Sequence, residues 1–326
     1  MRLPCVGVDI SKEWFDVDVP GSKFRERFEY TTRGLNLFLK RLKKLGIIKA
    51  RICMEATGLY YERLAEFLYA HGHEVVVVNP QCIKSFARSE LRRSKSDPLD
   101  AALIGVYCEE KYDRLHLWQP LPEEYKRVRE ILRRRQALVE ERTMEKNRLQ
   151  AGFTCAQVLE SIREAIRFFD EQIKQLECLA FRLIEENPEL ARLVSLAESI
   201  KGVRRLTVAT VLVEVPRVLW TGRLAAVFAG VIPAKDSSGK SRSRSYLSRV
   251  GSSRLRHALY MPAVSGSQHN PVLKEFYQKL LQRGLHKKQA LAAVMRKLLH
   301  LIFGVIKTGQ RFDPAYETKR RAEAAI

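Results

Sequence analysis

Acidic residues are scarce in this 326-residue chain: 37 Asp and Glu stand against 58 Lys and Arg, a formal net charge of +21. Such an imbalance points to a polyanion as partner, with nucleic acid foremost. Cysteine pairing signals are missing as well. Cys5, Cys53, Cys82, Cys108, Cys155 and Cys178 form no C-x-x-C pair and no metal spacing with histidine. They read as reduced, mostly buried thiols of a cytoplasmic protein. No apolar signal region opens the chain and no run approaches membrane-spanning length. The expectation is therefore a soluble, cytoplasmic, nucleoid-associated protein with no membrane partner. Glycine-rich phosphate loops are also lacking after Asp9, which removes an actin-like phosphotransferase from consideration.

What is present is a set of acids in particular settings. Arg51-Ile52-Cys53-Met54-Glu55-Ala56-Thr57-Gly58 is a short apolar run ending on an acid, followed by a glycine that turns the chain into a helix. Asp9 ends a similar run, Cys5-Val6-Gly7-Val8, and Asp97 and Asp100 open the helix Ser96-Asp97-Pro98-Leu99-Asp100-Ala101. Pro98 suits the first helical position and Asp97 the cap before it; a spacing of three then stacks Asp97 and Asp100 on one helix face. Each of these two acids has a structural reading of its own, as cap or as partner of the helix dipole. Together with Asp9 and Glu55, however, they make four carboxylates that repel one another unless a divalent cation neutralises them. Mg²⁺ takes such oxygen ligands, and a two-ion site would activate and stabilise the oxygens of a phosphodiester under displacement.

The order of elements supports convergence. Residues 4–10, 14–19 and 23–30 read as three strands of an antiparallel meander. Thr32 caps a helix with Leu35, Phe38, Leu42 and Leu45 at helical spacing, which Gly46 stops. The strand carrying Glu55, a helix from about Tyr60 to Ala70 and the strand Glu74–Val78 make a parallel βαβ unit. A meander followed by alternating helices and strands is the order of a ribonuclease H-like fold. Lys84 to Lys95 then supplies Lys84, Arg88, Arg92, Arg93 and Lys95 as a phosphate-tracking loop at the mouth of the acidic site, or as a solvated loop.

Beyond Pro120 and Pro122 the composition shifts. A basic helix over 123–150 gathers Arg133, Arg134 and Arg135, and a second helix carries Leu159, Ile162, Ile166, Phe169, Ile173, Leu176, Ala180 and Leu183 at alternating intervals of three and four. That is the seam of a coiled coil, either folded back as an intramolecular hairpin or serving as a dimerisation arm. Ile200-Lys201-Gly202-Val203 opens a further helix at a turn of the kind that presents backbone N–H groups to phosphate. The segment Val231 to Ser245 is polar, basic and serine-rich, and reads as a phosphate-binding loop or as disorder. A basic helix from about Ser252, with Arg254, Arg256 and His257, and two amphipathic helices complete the chain. The division is a catalytic domain at 1–119, a helical coiled-coil arm at 120–190 and a mainly α-helical domain at 191–326.

Gly7-Val8-Asp9-Ile10-Ser11-Lys12, Met54-Glu55-Ala56-Thr57-Gly58, Asn79-Pro80 and Lys95 to Ala101 resemble the RuvC-like domain of the insertion-sequence one-ten family of transposases. Phe228-Ala229-Gly230-Val231-Ile232-Pro233, Ser238-Gly239, Leu247-Ser248-Arg249-Val250-Gly251 and Leu259-Tyr260-Met261-Pro262-Ala263 resemble that family's carboxy-terminal transposase domain. Two differences stand out: Ser-Arg-Val-Gly replaces the more usual Ser-Lys-x-Gly, and Lys201-Gly202-Val203-Arg204 replaces a Pro-Gly-Ile-Gly turn. The resemblance implies a recombinase that excises and inserts its own element, directed by a structured bridge RNA that pairs with donor and target DNA. It implies Asp9, Glu55, Asp97 and Asp100 as the metal-binding tetrad, Ser238 as the nucleophile forming a phosphoserine intermediate, and assembly as dimers that pair into tetramers. Lys240, Arg242, Arg244 and Arg256 then become expected nucleic-acid contacts. Three alternatives stay beside this reading: a RuvC-like nuclease using the acids and water, a DNA invertase, and a non-catalytic nucleic-acid-binding protein.

Overall fold

The computed structural model describes residues 2–56, 58, 60–90, 97–236, 244–247 and 250–316; for 97–99, 234–236 and 244–247 it describes the backbone alone. Backbone proximity divides the chain into two units, Met1–Pro120 and Leu121–Ile326.

The first unit contains β1 (Cys5–Ile10), β2 (Trp14–Asp18), β3 (Arg25–Glu29), α1 (Thr32–Lys44), β4 (Arg51–Glu55), α2 (Tyr60–Ala70), β5 (Glu74–Val78), α3 (Pro80–Ser89) and α4 (Asp97–Glu110). The strands form one sheet in the order β3-β2-β1-β4-β5. β1 pairs antiparallel with β2 and parallel with β4, which is parallel to β5. This is the mixed sheet of a ribonuclease H-like domain, with the expected meander and βαβ unit in place. Strand alternation sends Val6, Val8, Ile52 and Met54 to one face, where they pack with Leu35, Phe38 and Leu42 of α1 and Leu64 and Leu68 of α2. Burying each such side chain contributes about 1.5–3 kcal/mol. The other face carries Cys5, Cys53 and Val76 against Ile83 and Phe86 of α3 and Ile104 and Cys108 of α4.

Local expectations needed correction at several points. Thr31, not Thr32, caps α1, its hydroxyl accepting from the Gly34 N–H at 3.1 Å; the β-region backbone of Thr31 suits that role. Leu45 lies beyond the buried stripe and is exposed. Lys84 and Arg88 are not in a loop but on α3, which Asn79 caps by accepting from Gln81 N–H, with Pro80 at its first turn. Three cysteines are buried, but Cys82, Cys155 and Cys178 are exposed.

The second unit is mainly helical: α5 (Glu123–Leu149), α6 (Ala156–Glu186), α7 (Pro188–Glu198), α8 (Arg205–Glu214), α9 (Gly222–Ala229), α10 (Ser253–His269), α11 (Pro271–Gln282) and α12 (Lys287–Thr308). α5 and α6 fold back on each other as an antiparallel hairpin. Arg135 pairs with Glu177 and Arg142 with Asp170, so moving along α5 toward the tip moves back along α6. Ile162, Ile173, Ala180 and Leu183 of the seam are buried, which accounts for their spacing within one chain. Pro233–Asp236 and Arg244–Leu247, expected to be loop, pair as the antiparallel strands β6 and β7. α12 is long and apolar enough to cross a membrane by length and composition. Here its apolar residues Val294, Leu298 and Ile302 are buried in the unit's own core.

Candidate functional site

Glycine at position 7 sets the geometry of the acids. A Cβ there would lie 2.0 Å from the Ala101 carbonyl oxygen and 2.3 Å from the Gly105 nitrogen, so α4 rests directly on the β1 backbone. Further along, Cys108 Sγ is 3.9 Å from the Arg51 carbonyl oxygen, at the beginning of β4. α4 therefore runs opposite to β1 and β4, and its first turn lies toward their carboxyl ends. Asp97 is about 6 Å of helix before Ala101, and Asp9 is about 6.6 Å of strand beyond Gly7, so the two come level.

Strand alternation supplies the rest. Gly7 and Cys53 are register partners on the α4 side; Asp9 and Glu55, two residues on, share that side. Asp9, Glu55 and Asp100 are each half-buried. Three elements thus carry acids toward the carboxyl ends of the central strands. α4 begins at Asp97 itself, one residue before the expected first position, Pro98. The side chain of Asp97 lies outside the described residues. Among the described residues no group of three or more His, Cys, Asp or Glu is placed closely enough to hold a metal ion. The donor set is nonetheless all hard oxygen, the chemistry that suits a divalent cation of the magnesium or calcium kind.

At the opposite edge the sheet is locked. Arg51 meets the Glu74 carboxylate at 2.6 Å and lies 3.6 Å above the Tyr112 ring. Below the acids, the thiols are unsuited to chemistry. The hydrogen bond from Cys108, with burial, pushes the Cys5 thiol up. Cys108 is pulled down by Cys5, yet its bond with Cys53 and burial outweigh that and raise it. Burial also pushes the Tyr107 hydroxyl up to about 12. Neutral thiols are neither nucleophiles nor metal ligands.

Asp16 was missed by the sequence reading. It is the register partner of Asp9 across β1 and β2 and is 7% exposed. Arg27 holds both its oxygens, at 3.0 and 2.9 Å. Asp18 accepts one hydrogen bond, on Oδ2, from Arg25 at 2.9 Å. The signal was there in the sequence: two acids and two arginines at alternate positions of adjacent strands.

The expected nucleic-acid contacts separate into groups. Lys84 and Arg88 stand exposed, one turn apart on α3. Arg133 is engaged by Glu214 at 2.7 Å and Arg135 by Glu177 at 2.8 Å, while Arg134 between them is exposed. Arg256 donates to the carbonyls of Ala229 and Gly251 at 3.1 and 3.2 Å, tying the start of α10 to the end of α9. The backbone of Arg244 opens β7 opposite Asp236. Arg92, Arg93, Lys95, Ser238, Lys240 and Arg242 lie outside the described residues.

Comparison with known proteins covers both units. Residues 6–156 match the DEDD, IS110-type family described as transposase, and residues 194–278 match the transposase IS116/IS110/IS902 family. The pilin gene-inverting protein of Moraxella bovis is 30% identical over 322 residues, covering 96% of this chain and 98% of that protein. Its namesake from Moraxella lacunata matches with the same identity and coverage. An uncharacterized 43.6 kDa protein of insertion element IS110 from Streptomyces coelicolor is 27% identical over 156 residues, 48% of this chain and 38% of that one.

Proposed function

Because the chain belongs to the IS110 family of transposases, and is thereby a DNA transposase/recombinase, we propose that it exchanges DNA strands through a covalent serine–DNA intermediate at an acidic, Mg²⁺-dependent site. The observation that carries the acidic half is the crossing of α4 over Gly7, which sets the start of α4 beside the strand ends bearing Asp9 and Glu55. In this reading Asp9, Glu55, Asp97 and Asp100 hold the cation. When bound, it would lower the effective pKa of an attacking hydroxyl and offset charge on the phosphate.

Ser238 supplies the hydroxyl. Its oxygen forms a bond to phosphorus, its proton leaves, and one deoxyribose oxygen departs and is protonated. A hydroxyl of the incoming strand then attacks the same phosphorus and releases the serine. One phosphodiester replaces another, so strands are exchanged without an external energy source. Gly239 beside Ser238 lets a phosphate approach closely. Lys240, Arg242 and Arg244 offset charge developing at the attacked group and hold its neighbours. Assembly as a dimer or tetramer is part of the proposal, supported by the family resemblance.

Guidance by a structured bridge RNA is part of the proposal, supported by the family resemblance and by a net charge of +21. A second product class, inversion of a DNA segment, is favoured by the near-full-length similarity to the pilin gene-inverting proteins. Both outcomes use the same chemistry. The test is denaturing electrophoresis of protein incubated with labelled DNA and Mg²⁺. Ser238→Ala should abolish the covalent adduct and Ser237→Ala only weaken it. An adduct that survives in Ser238→Ala overturns the nucleophile assignment, and cleavage that persists in EDTA overturns metal dependence.

A further inference from the structure

The second unit contains a groove of about 860 Å³ between α5, α6, α8 and α10. Most of its arginines are already engaged. Arg133 bonds both oxygens of Glu214, at 2.7 and 2.9 Å, Arg135 meets Glu177, and Arg205 reaches Glu185 at 2.7 Å. These pairs build the walls. Two other lining residues differ. Arg204 and Arg254 are exposed, and among the described residues neither takes part in an ion pair.

The floor is tightly packed against α10. Gly202, at φ +98°, lies so near α10 that a Cβ would be 2.9 Å from the Gly266 nitrogen, and Ala258 and Ser265 continue the small surface. Its requirement for glycine thus comes from packing on α10. The groove has one covered ring and one exposed ring: the Arg205 guanidinium sits 5.5 Å from the Phe181 centroid, while the His257 imidazole is exposed. Single-stranded nucleic acid is gripped by stacking successive bases on several aromatic rings; one imidazole beside the exposed Arg204 and Arg254 is suited to a charged backbone instead.

We propose that the groove is a track for the sugar–phosphate backbone of duplex DNA, with Arg204 and Arg254 each meeting a phosphate. The choice of DNA over another polyanion rests on the recombinase reading above. Glu198 lends the proposal a test of sign. Its carboxylate accepts from the Arg205 backbone N–H at 3.2 Å and stands 3.8 Å from the Arg205 side chain, on the wall of the same groove. There it repels an incoming phosphate. Glu198→Gln retains an oxygen acceptor while removing the charge.

The experiment is fluorescence anisotropy of the full chain with a labelled duplex longer than the groove, in EDTA, across a salt series. Each phosphate contact contributes about 0.9 to the slope of log affinity against log salt. The Arg204→Gln/Arg254→Gln protein should lose about 2 from that slope and bind about 10–100-fold more weakly at low salt, with an unchanged melting temperature. Glu198→Gln should bind severalfold more tightly, a change that structural damage does not produce. A parent-like slope in the double variant, or weakening confined to an RNA duplex, overturns the proposal. So does Glu198→Gln binding no more tightly than the parent. Binding in EDTA does not depend on strand cleavage, so these outcomes leave the recombinase reading standing. An inactive parent protein that still follows the predicted slopes would instead count against that reading alone.

Discussion

Gly7→Ala adds a single methyl group where the sheet and α4 touch. The added Cβ would sit 2.0 Å from the Ala101 carbonyl, whereas real Cβ contacts do not fall below 3.0 Å. The helix must therefore withdraw by at least about 1 Å, because Ala101 O and Gly105 N are both backbone and cannot rotate away. Overpacking of this kind costs about 1–3 kcal/mol, which a unit with so continuous a core should survive. The first turn of α4 carries Asp97 and Asp100, and a displacement of about 1 Å at reacting groups costs on the order of 10²-fold in rate. Single-turnover cleavage of labelled DNA, at a temperature well below the variant's melting point, should fall by about that factor. Circular dichroism should show native helix content. Gly105→Ala provides a milder clash at the same contact, since its Cβ would meet the Pro20 ring at 2.7 Å and the Gly7 nitrogen at 3.3 Å, against 2.0 Å for Gly7→Ala. It should lose less activity. Parent-like cleavage by a folded Gly7→Ala protein would refute the argument that α4 positions the acids.

Glu55→Gln keeps side-chain volume and removes one charge, so cleavage should vanish while DNA binding persists in a mobility-shift assay; normal cleavage would remove Glu55 from the site. Glu214→Ala removes both hydrogen bonds that Arg133 makes to that carboxylate, and the second unit should lose about 3 kcal/mol in urea unfolding, the low end for a broken buried pair. The low end applies because the Arg133 side chain keeps 21% exposure, and an unchanged midpoint would show the pair to be dispensable. His73 is buried and accepts from the Ala50 N–H on Nδ1 at 3.2 Å, and burial lowers its pKa below the ordinary 6.5. The unfolded chain then binds the proton more readily, so this stability is complete above pH 6.5 and is lost as pH falls from there through the lowered folded value. Melting of the first unit should decline over that window and His73→Gln should flatten the decline; identical profiles would exclude His73 as its source.

Pattern and register did different work in making this molecule legible. The five-stranded sheet was readable because β1, β4 and β5 are apolar runs and the meander alternates, and the acids followed because they end those runs. β6 and β7 escaped because strands of four residues set in a serine-rich basic segment carry little apolar signal. α3 escaped for a related reason: its buried Ile83 and Phe86 are too few to stand out among Lys84, Ser85 and Arg88. The seam of α6 announced that one face is covered, but periodicity does not reveal by what; α5, charged along much of its length, gave no matching stripe. The arginines of α5 were equally ambiguous. Only the fold shows that Arg133 and Arg135 face carboxylates while Arg134, among the described residues, takes part in no ion pair.

The ion pairs of the hairpin also define a unit of length. From Arg135 to Arg142 is seven residues outward along α5, and from Glu177 to Asp170 is seven residues back along α6. Seven residues make nearly two turns, so matched deletions of one heptad from each helix would keep the facing stripes in phase. A deletion in one helix alone would rotate every later contact out of alignment. The hairpin is thus a ruler whose length keeps its facing pairs in register only when both helices change together.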